Sequence, residues 1–320
     1  MNRNIAILDT SISSLNVGND IIMEGVMDHL QEVFPTYQYI RIPANEKIRL
    51  SSLPILRKSN YCFQGGANAL SSNVQSNYGF IFSSIDAYFI RHKVTLLGVG
   101  WAKYENRPTY YSKSYWNRVL AKDTIHSVRD TYTEENLKAI GINNVVNTGC
   151  PTMWRLTPDH CVTIPQTKAS KVIFTLTDYS RDAEQDRKMM KILLQQYSEV
   201  YYWVQGIKDL EYFNSFGDVI KDIKVVPPNL SSYNNVLYQG DLDYVGTRLH
   251  AGIRALQKGI RSIIIGIDNR AEEKRKSYNL PVLDRSNIEL LGDMIKKSLP
   301  LNINLPLKNI ELWKSQFKNK

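Results

Sequence analysis

Asp243-Tyr244-Val245-Gly246-Thr247-Arg248-Leu249-His250-Ala251-Gly252 is the stretch from which the rest of the chain is read. It runs from an apolar strand end through a glycine turn into a helix start. Leu249, Ile253 and Leu256 recur at i, i+4 and i+7, the spacing of a helix face laid on a sheet. Arg248 and His250 flank Leu249 in the first turn. Backbone N–H groups at a helix start, together with the helix dipole, favour an anion. An arginine there adds a planar fork suited to carboxylate or phosphate, and a histidine adds a proton exchanged near neutral pH. The competing reading pairs Arg248 with Asp243 or Asp268 and leaves His250 filling a polar gap. A strand-to-helix junction is the ligand edge of an α/β sheet, which favours the functional reading.

The same alternation extends in both directions. Ile5 to Leu8, Tyr39 to Ile42, Tyr61 to Phe63, Val94 to Val99, Ile125 to Val128 and Val145 to Val146 read as strands. Helices are expected from Asp20, as cap, through Phe34, and over 78–90, 114–121 and 133–140. The polar passage Thr163 to Ser170 has neither period and reads as a linker. The alternation restarts with Val172 to Leu176, Val200 to Val204, Ile223 to Val226, Tyr244 to Val245 and Ile263 to Ile267. Two successive βα series imply an α/β fold of two doubly wound parallel-sheet, Rossmann-like domains facing a central cleft. The expected boundaries are 1–165, 166–303 and a C-terminal amphipathic helix at 304–320. The tail carries Ile310, Trp313 and Phe317 on one face. It reads as a helix packed on the body, with membrane contact as the other reading.

Composition narrows the function classes. At 320 residues, two domains of ordinary size are expected, and 43% apolar residues exclude a disordered chain. No apolar run reaches the ~18 residues of a membrane span, and Ile5 to Leu8 is too short for a signal peptide. A cytoplasmic location is therefore expected, with peripheral contact at the inner membrane face as an option. Cys62, Cys150 and Cys161 form no CxxC pair, and no HExxH spacing appears, so no metal site is expected. The net charge of +9, from 40 basic and 31 acidic residues, suits an anionic partner. Scattered basic residues without a nucleic-acid motif place phosphorylated small molecules first, a membrane surface second and nucleic acid last.

Other strand ends carry weaker signals. Asn16-Val17-Gly18-Asn19-Asp20 and Phe63-Gln64-Gly65-Gly66-Ala67-Asn68 are glycine turns that permit close backbone approach; neither is a dinucleotide fingerprint. Gly98-Val99-Gly100-Trp101 is similar. Ser127-Val128-Arg129-Asp130 ends a strand with a cation and an acid, either ligand-facing or mutually paired. Asp268-Asn269-Arg270 closes the strand after the opening stretch; Arg270 reads as a second cation at that edge or as part of a capped helix start. Thr148-Gly149-Cys150-Pro151 offers a thiol without an adjacent base, so no nucleophile is assigned. His29 and His126, within a helix and a strand, read as structural.

Taken together, these motifs resemble the polysaccharide pyruvyl transferase family. The strongest match is 245–256 with Gly259-Ile260 and 264–270. The glycine turns, Ser127-Val128-Arg129-Asp130 and Thr148-Gly149-Cys150-Pro151 agree more loosely. Asn19 intervenes where the family often has Asp directly after glycine, and Cys150 stands where it often has Asp. The resemblance implies a fold of the two-domain GT-B type. It also implies transfer of pyruvate from phosphoenolpyruvate to a sugar hydroxyl pair of a bacterial surface polysaccharide (exopolysaccharide or capsule) or its lipid-linked precursor. Phosphate would be released, and no cofactor beyond this co-substrate is implied. In that frame Arg248 and His250 would be catalytic. Gly246, Thr247, Arg248, His250, Arg270 and Arg129 would hold the donor, and Asn16, Gly18, Asp20, Gly65, Gly66 and Asn68 would face the acceptor. The competing functions are a nucleotide-sugar glycosyltransferase and a non-catalytic binding protein of the same fold.

Overall fold

The structure is a computed structural model that describes residues 3–46, 48–75, 83–103 and 107–318. The chain forms two compact units, one of residues 1–14, 22–154 and 306–320, the other of 15–21 and 155–305.

In the first unit, β1 (Asn4–Asp9), β2 (Gln38–Pro43), β3 (Tyr61–Gly65) and β4 (Val94–Leu97) pair in parallel in the order β2-β1-β3-β4. Strands β5 (His126–Val128) and β6 (Val145–Asn147) pair in parallel with each other. Beyond β4, the Gly98 N–H donates to the Ser127 carbonyl at 2.9 Å and Val99 bridges Val128. Ile5, Ala6 and Ile7 are fully buried. That explains why β1 reads as an unbroken apolar run rather than an alternating one. β4 ends at Leu97, short of the expected Val99, because Gly98 turns the chain at φ +65°.

The second unit has a single six-stranded parallel sheet: β7 (Lys171–Thr175), β8 (Glu199–Trp203), β9 (Ile223–Val226), β10 (Leu242–Gly246), β11 (Arg261–Gly266) and β12 (Val282–Asp284). Its order is β12-β11-β10-β7-β8-β9. Counted from β7, this is the 3-2-1-4-5-6 order of a dinucleotide-fold sheet. β12 has no counterpart in the sequence reading. Three residues, none fully buried, give too short a period to recognise. Across β10 and β11, the Asp243 carboxylate accepts from Arg261 Nη1 at 2.8 Å and from the Tyr197 hydroxyl at 2.7 Å. Arg261 also donates to the Ile295 carbonyl at 2.9 Å. Asp243 is therefore taken by Arg261, not by Arg248.

Three expectations change in detail. The helix expected from Asp20 begins at Gly18, whose N–H donates to the Asn16 Oδ1 at 2.9 Å, so Asp20 lies inside the first turn. Of the helix expected over 78–90, Ser84–Phe89 is helical and residues 78–82 lie outside the described residues. Residues 155–165 group with the second unit rather than the first. The ties are a His160 Nε2 contact to the Leu256 carbonyl at 2.8 Å and the Leu299 N–H bond to the Gln166 carbonyl at 2.9 Å. The tail helix Leu307–Ser315 groups with the first unit. There Trp313 is fully buried and Phe317 packs on Phe34, Tyr61 and Phe63 at ring separations of 5.0, 5.4 and 5.7 Å.

Candidate functional site

A doubly wound sheet binds ligands beyond the carboxyl ends of its strands, where the strand order reverses. In the second unit that point lies between β7 and β10. Leu176, Thr177 and Asp178 follow β7, and Thr247 and Arg248 follow β10. Gly246 ends β10 against β7 so closely that a Cβ there would lie 2.6 Å from the Thr175 backbone nitrogen. Hydroxyls knit the two strand ends together. The Thr247 and Thr177 hydroxyls meet at 2.8 Å, the Tyr244 hydroxyl lies 2.7 Å from the Thr175 hydroxyl, and it donates to the Arg248 carbonyl at 2.8 Å.

Arg248 precedes the helix Leu249–Gln257 with extended backbone angles, and no side chain caps that helix. The arginine is buried. Its Nε donates to the Leu176 carbonyl at 3.1 Å and to Asp209 Oδ2 at 3.2 Å. Its Nη2 donates to Asp178 Oδ1 at 2.9 Å and also to Asp209 Oδ1. The guanidinium carbon sits 5.1 Å from the Tyr179 ring centroid. Asp209 is fully buried and Asp178 partly exposed. Burial pushes the Asp209 carboxyl up, and the Arg248 guanidinium opposes that shift. Gly206 leaves the fork its room, since a Cβ there would meet Nη2 at 2.4 Å. The arginine fork that the sequence directs outward to a ligand thus spans two carboxylates contributed by the loops after β7 and β8. His250 lies half-buried in the first turn of the helix. Arg270 is in the first turn of the helix Asn269–Tyr278, and its side chain lies outside the described residues.

The segment Asn16 to Asp20, expected at the first domain's acceptor edge, belongs to the second unit. Asn16 bridges Gly206, its Oδ1 accepts from Gln205 Nε2 at 2.8 Å, and the Val17 N–H donates to the Gln205 carbonyl at 3.1 Å. Gly18 lies close to the same loop: a Cβ there would meet Gln205 Nε2 at 2.6 Å, so that side chain would have to shift. Asn16 and Gly18 therefore buttress the loop whose Gly206 abuts Arg248.

In the first unit the order reverses between β1 and β3. Thr10 directly follows β1, and Gln64, Gly65, Gly66 and Asn68 close β3. Gly65 packs on Met23 and Val26, and Gly66 turns at φ +56°. Three buried polar atoms here have no hydrogen-bond partner: Thr10 Oγ1, Gln64 Nε2 and Asn68 Oδ1. Thr10 and Gln64 are more than nine-tenths buried. A buried unpaired polar group is costly, and such groups gathered at a switch point suit a ligand rich in hydroxyls. The sequence reading missed Thr10 and Gln64. The one visible signal was Gln64 itself, a polar residue closing an otherwise apolar strand. Arg129, expected to reach a donor, is buried in this unit. Its Nε donates to Asp130 Oδ2 at 3.2 Å, while Asp130 caps the helix Thr131–Ala139. Cys150 is also buried, with the Thr152 hydroxyl at 3.0 Å. Among the described residues no group of His, Cys, Asp and Glu is arranged to hold a metal ion.

The polysaccharide pyruvyl transferase family profile matches residues 16–269. No curated protein sequence matches the chain. Among solved structures, the chain is similar to the Methanocaldococcus jannaschii UDP-GlcNAc 2-epimerase crystallised with UDP-GlcNAc and UDP. The identity is 10%, 99% of this chain and 98% of that one are covered, and the TM-score is 0.54. It is also similar to a UDP-N-acetylglucosamine 2-epimerase structure from Listeria monocytogenes at 10% identity, 98% and 91% coverage and TM-score 0.51. At such identity the likeness concerns the fold: two Rossmann-like units of the GT-B class.

Proposed function

Because the chain belongs to the polysaccharide pyruvyl transferase family, we propose that it moves pyruvate from phosphoenolpyruvate onto two hydroxyls of a saccharide and releases phosphate. The observation that carries the reading is the placement of Thr247, Arg248 and His250 together at the second unit's switch point, where the family match and the expected ligand edge coincide.

In this reading the donor's anionic groups lie at the uncapped start of the helix Leu249–Gln257, where backbone N–H groups and the helix dipole favour negative charge. Arg248 keeps its buried contact with Asp209. The donor's carboxylate or phosphate takes the place of the partly exposed Asp178 on the fork. A proton is delivered to the donor's methylene carbon with His250 as the shuttle. The central carbon becomes electrophilic, one sugar hydroxyl adds and gives its proton back to the shuttle, and the carbon–oxygen bond to phosphate breaks so that phosphate leaves. A second hydroxyl closes the ketal and gives up its proton. Thr10, Gln64 and Asn68 supply the first unit's polar edge for the saccharide. A lipid-linked acceptor would bring the protein to a membrane surface.

The test is phosphate release from phosphoenolpyruvate against a panel of free and lipid-linked saccharides. His250→Gln is expected to lower acceptor-dependent release by about 10²- to 10⁴-fold, the usual contribution of a positioned acid–base group, with an unchanged melting temperature. Arg248→Ala is a poor probe, because stranding buried Asp209 costs about 3–5 kcal/mol of stability. Gln64→Leu is the companion variant, expected to raise the acceptor KM while donor binding stays intact. Tight binding of a nucleotide sugar without binding of phosphoenolpyruvate would overturn the proposal in favour of glycosyl transfer. Full turnover in His250→Gln would remove the site assignment.

A further inference from the structure

The first unit carries a surface that the reaction above does not use. The helix Ser84–Phe89 turns Ile85, Tyr88 and Phe89 to the outside, at i, i+3 and i+4 on one face. They are 70%, 59% and 49% exposed. Beside them lies an open cavity of about 290 Å³ lined by Arg57, Tyr88, Phe89, Ile90, Arg91 and Lys93. Arg57 comes from the end of the neighbouring helix Leu53–Lys58, and Arg91 holds its guanidinium 5.4 Å from the Tyr88 ring centroid. Across these two helices and the turn 91–93, the one carboxylate among the described residues is Asp86. It is buried and occupied in the capping box with Ser83. Among the described residues of these elements, exposed aliphatic and aromatic groups thus stand beside cations without an exposed acid.

We infer that this face docks on an anionic membrane surface. Exposed apolar residues of this size need an apolar neighbour. The surrounding cations need a negative one, and an anionic bilayer supplies both at the headgroup–acyl boundary. A second copy of the chain fits less well, since a two-fold interface would set the cations of one patch against those of the other. The tail, which by sequence also offered an apolar stripe, does not serve. Ile310, Trp313 and Phe317 are buried within the first unit. The inference goes beyond the proposed reaction, and its test needs neither donor nor acceptor, so each stands or falls separately.

The full chain is to be sedimented with phosphatidylcholine vesicles, with and without phosphatidylglycerol, over a range of salt. Binding is expected to the anionic vesicles and to weaken as salt rises. Ile85→Ser/Phe89→Ser and Arg57→Glu/Arg91→Glu are each expected to reduce it by at least about tenfold. Lys188→Glu/Lys221→Glu, the same charge change on the second unit, is expected to bind as wild type does. Melting temperatures of all variants keep loss of binding distinct from loss of folding. Absence of wild-type binding to phosphatidylglycerol vesicles overturns the inference, as does equal loss in the second-unit control. A dimer that the patch variants convert to monomer while vesicle binding persists would assign the face to a second copy instead.

Discussion

His126 shows how completely one residue's chemistry is set by its surroundings. Its Nδ1 faces the Leu96 N–H at 3.2 Å and its Nε2 the Ala121 carbonyl at 2.9 Å, so the ring must be neutral, with its proton on Nε2. Burial pushes its pKa down to about 4 from an ordinary 6.5. The unfolded chain takes up this proton near pH 6.5 and the folded one resists it until about pH 4. Stability from this group is therefore fully present above pH 6.5 and is lost as pH falls toward 4. The loss amounts to about 3 kcal/mol over that interval. Urea unfolding at a series of pH values should show it, and His126→Gln should flatten that part of the curve. The structural assignment of His126 was legible from its place in a strand. Arg248 was legible only in position. Its partners Asp178 and Asp209 lie 70 and 39 residues away, and no local pattern announces an ion pair of that span.

At the scale of elements, β10 and its helix are the part read most directly, because apolar run, glycine and helical spacing all agree there. Gly246 serves the packing of two strands rather than a turn. A Cβ would overlap the Thr175 hydroxyl at 2.4 Å and its backbone nitrogen at 2.6 Å. Gly246→Ala is expected to push β10 from β7 and cost about 1–3 kcal/mol. A thermal melt checks the cost. On the proposed reaction, phosphate release should fall with it, because Thr247, Arg248 and His250 follow that strand end. Short or shallow elements escaped the sequence reading for a common reason. β12 spans three residues with no buried member, and the helix starts at Gly18, Tyr110 and Thr131 depend on caps, not on periodicity.

For the molecule as a whole, each unit is built on parallel strands covered by helices, and no helix among the described residues is long and apolar enough to cross a membrane. The tail belongs to the core of the first unit. Trp313 is fully buried, 6.0 Å from Phe63 and 5.8 Å from Trp154 between ring centroids. Trp313→Ala is expected to cost that unit about 3–5 kcal/mol, seen as faster amide exchange in β1 and β3. What the sequence determined by itself was the class of fold, the presence of two Rossmann-like units, the family and the strand end that carries Arg248 and His250. Each of these is written in local order: apolar runs, glycine turns and helical spacing. What only tertiary structure decided was partnership. It set Asn16 beside Gly206, turned the Arg248 fork onto Asp209 and Asp178, left Thr10 Oγ1, Gln64 Nε2 and Asn68 Oδ1 without hydrogen-bond partners at one switch point, and consumed the tail's apolar face. Those outcomes depend on which distant segments the sheet order makes neighbours, and strand order in a parallel sheet is not encoded in any local stretch of chain.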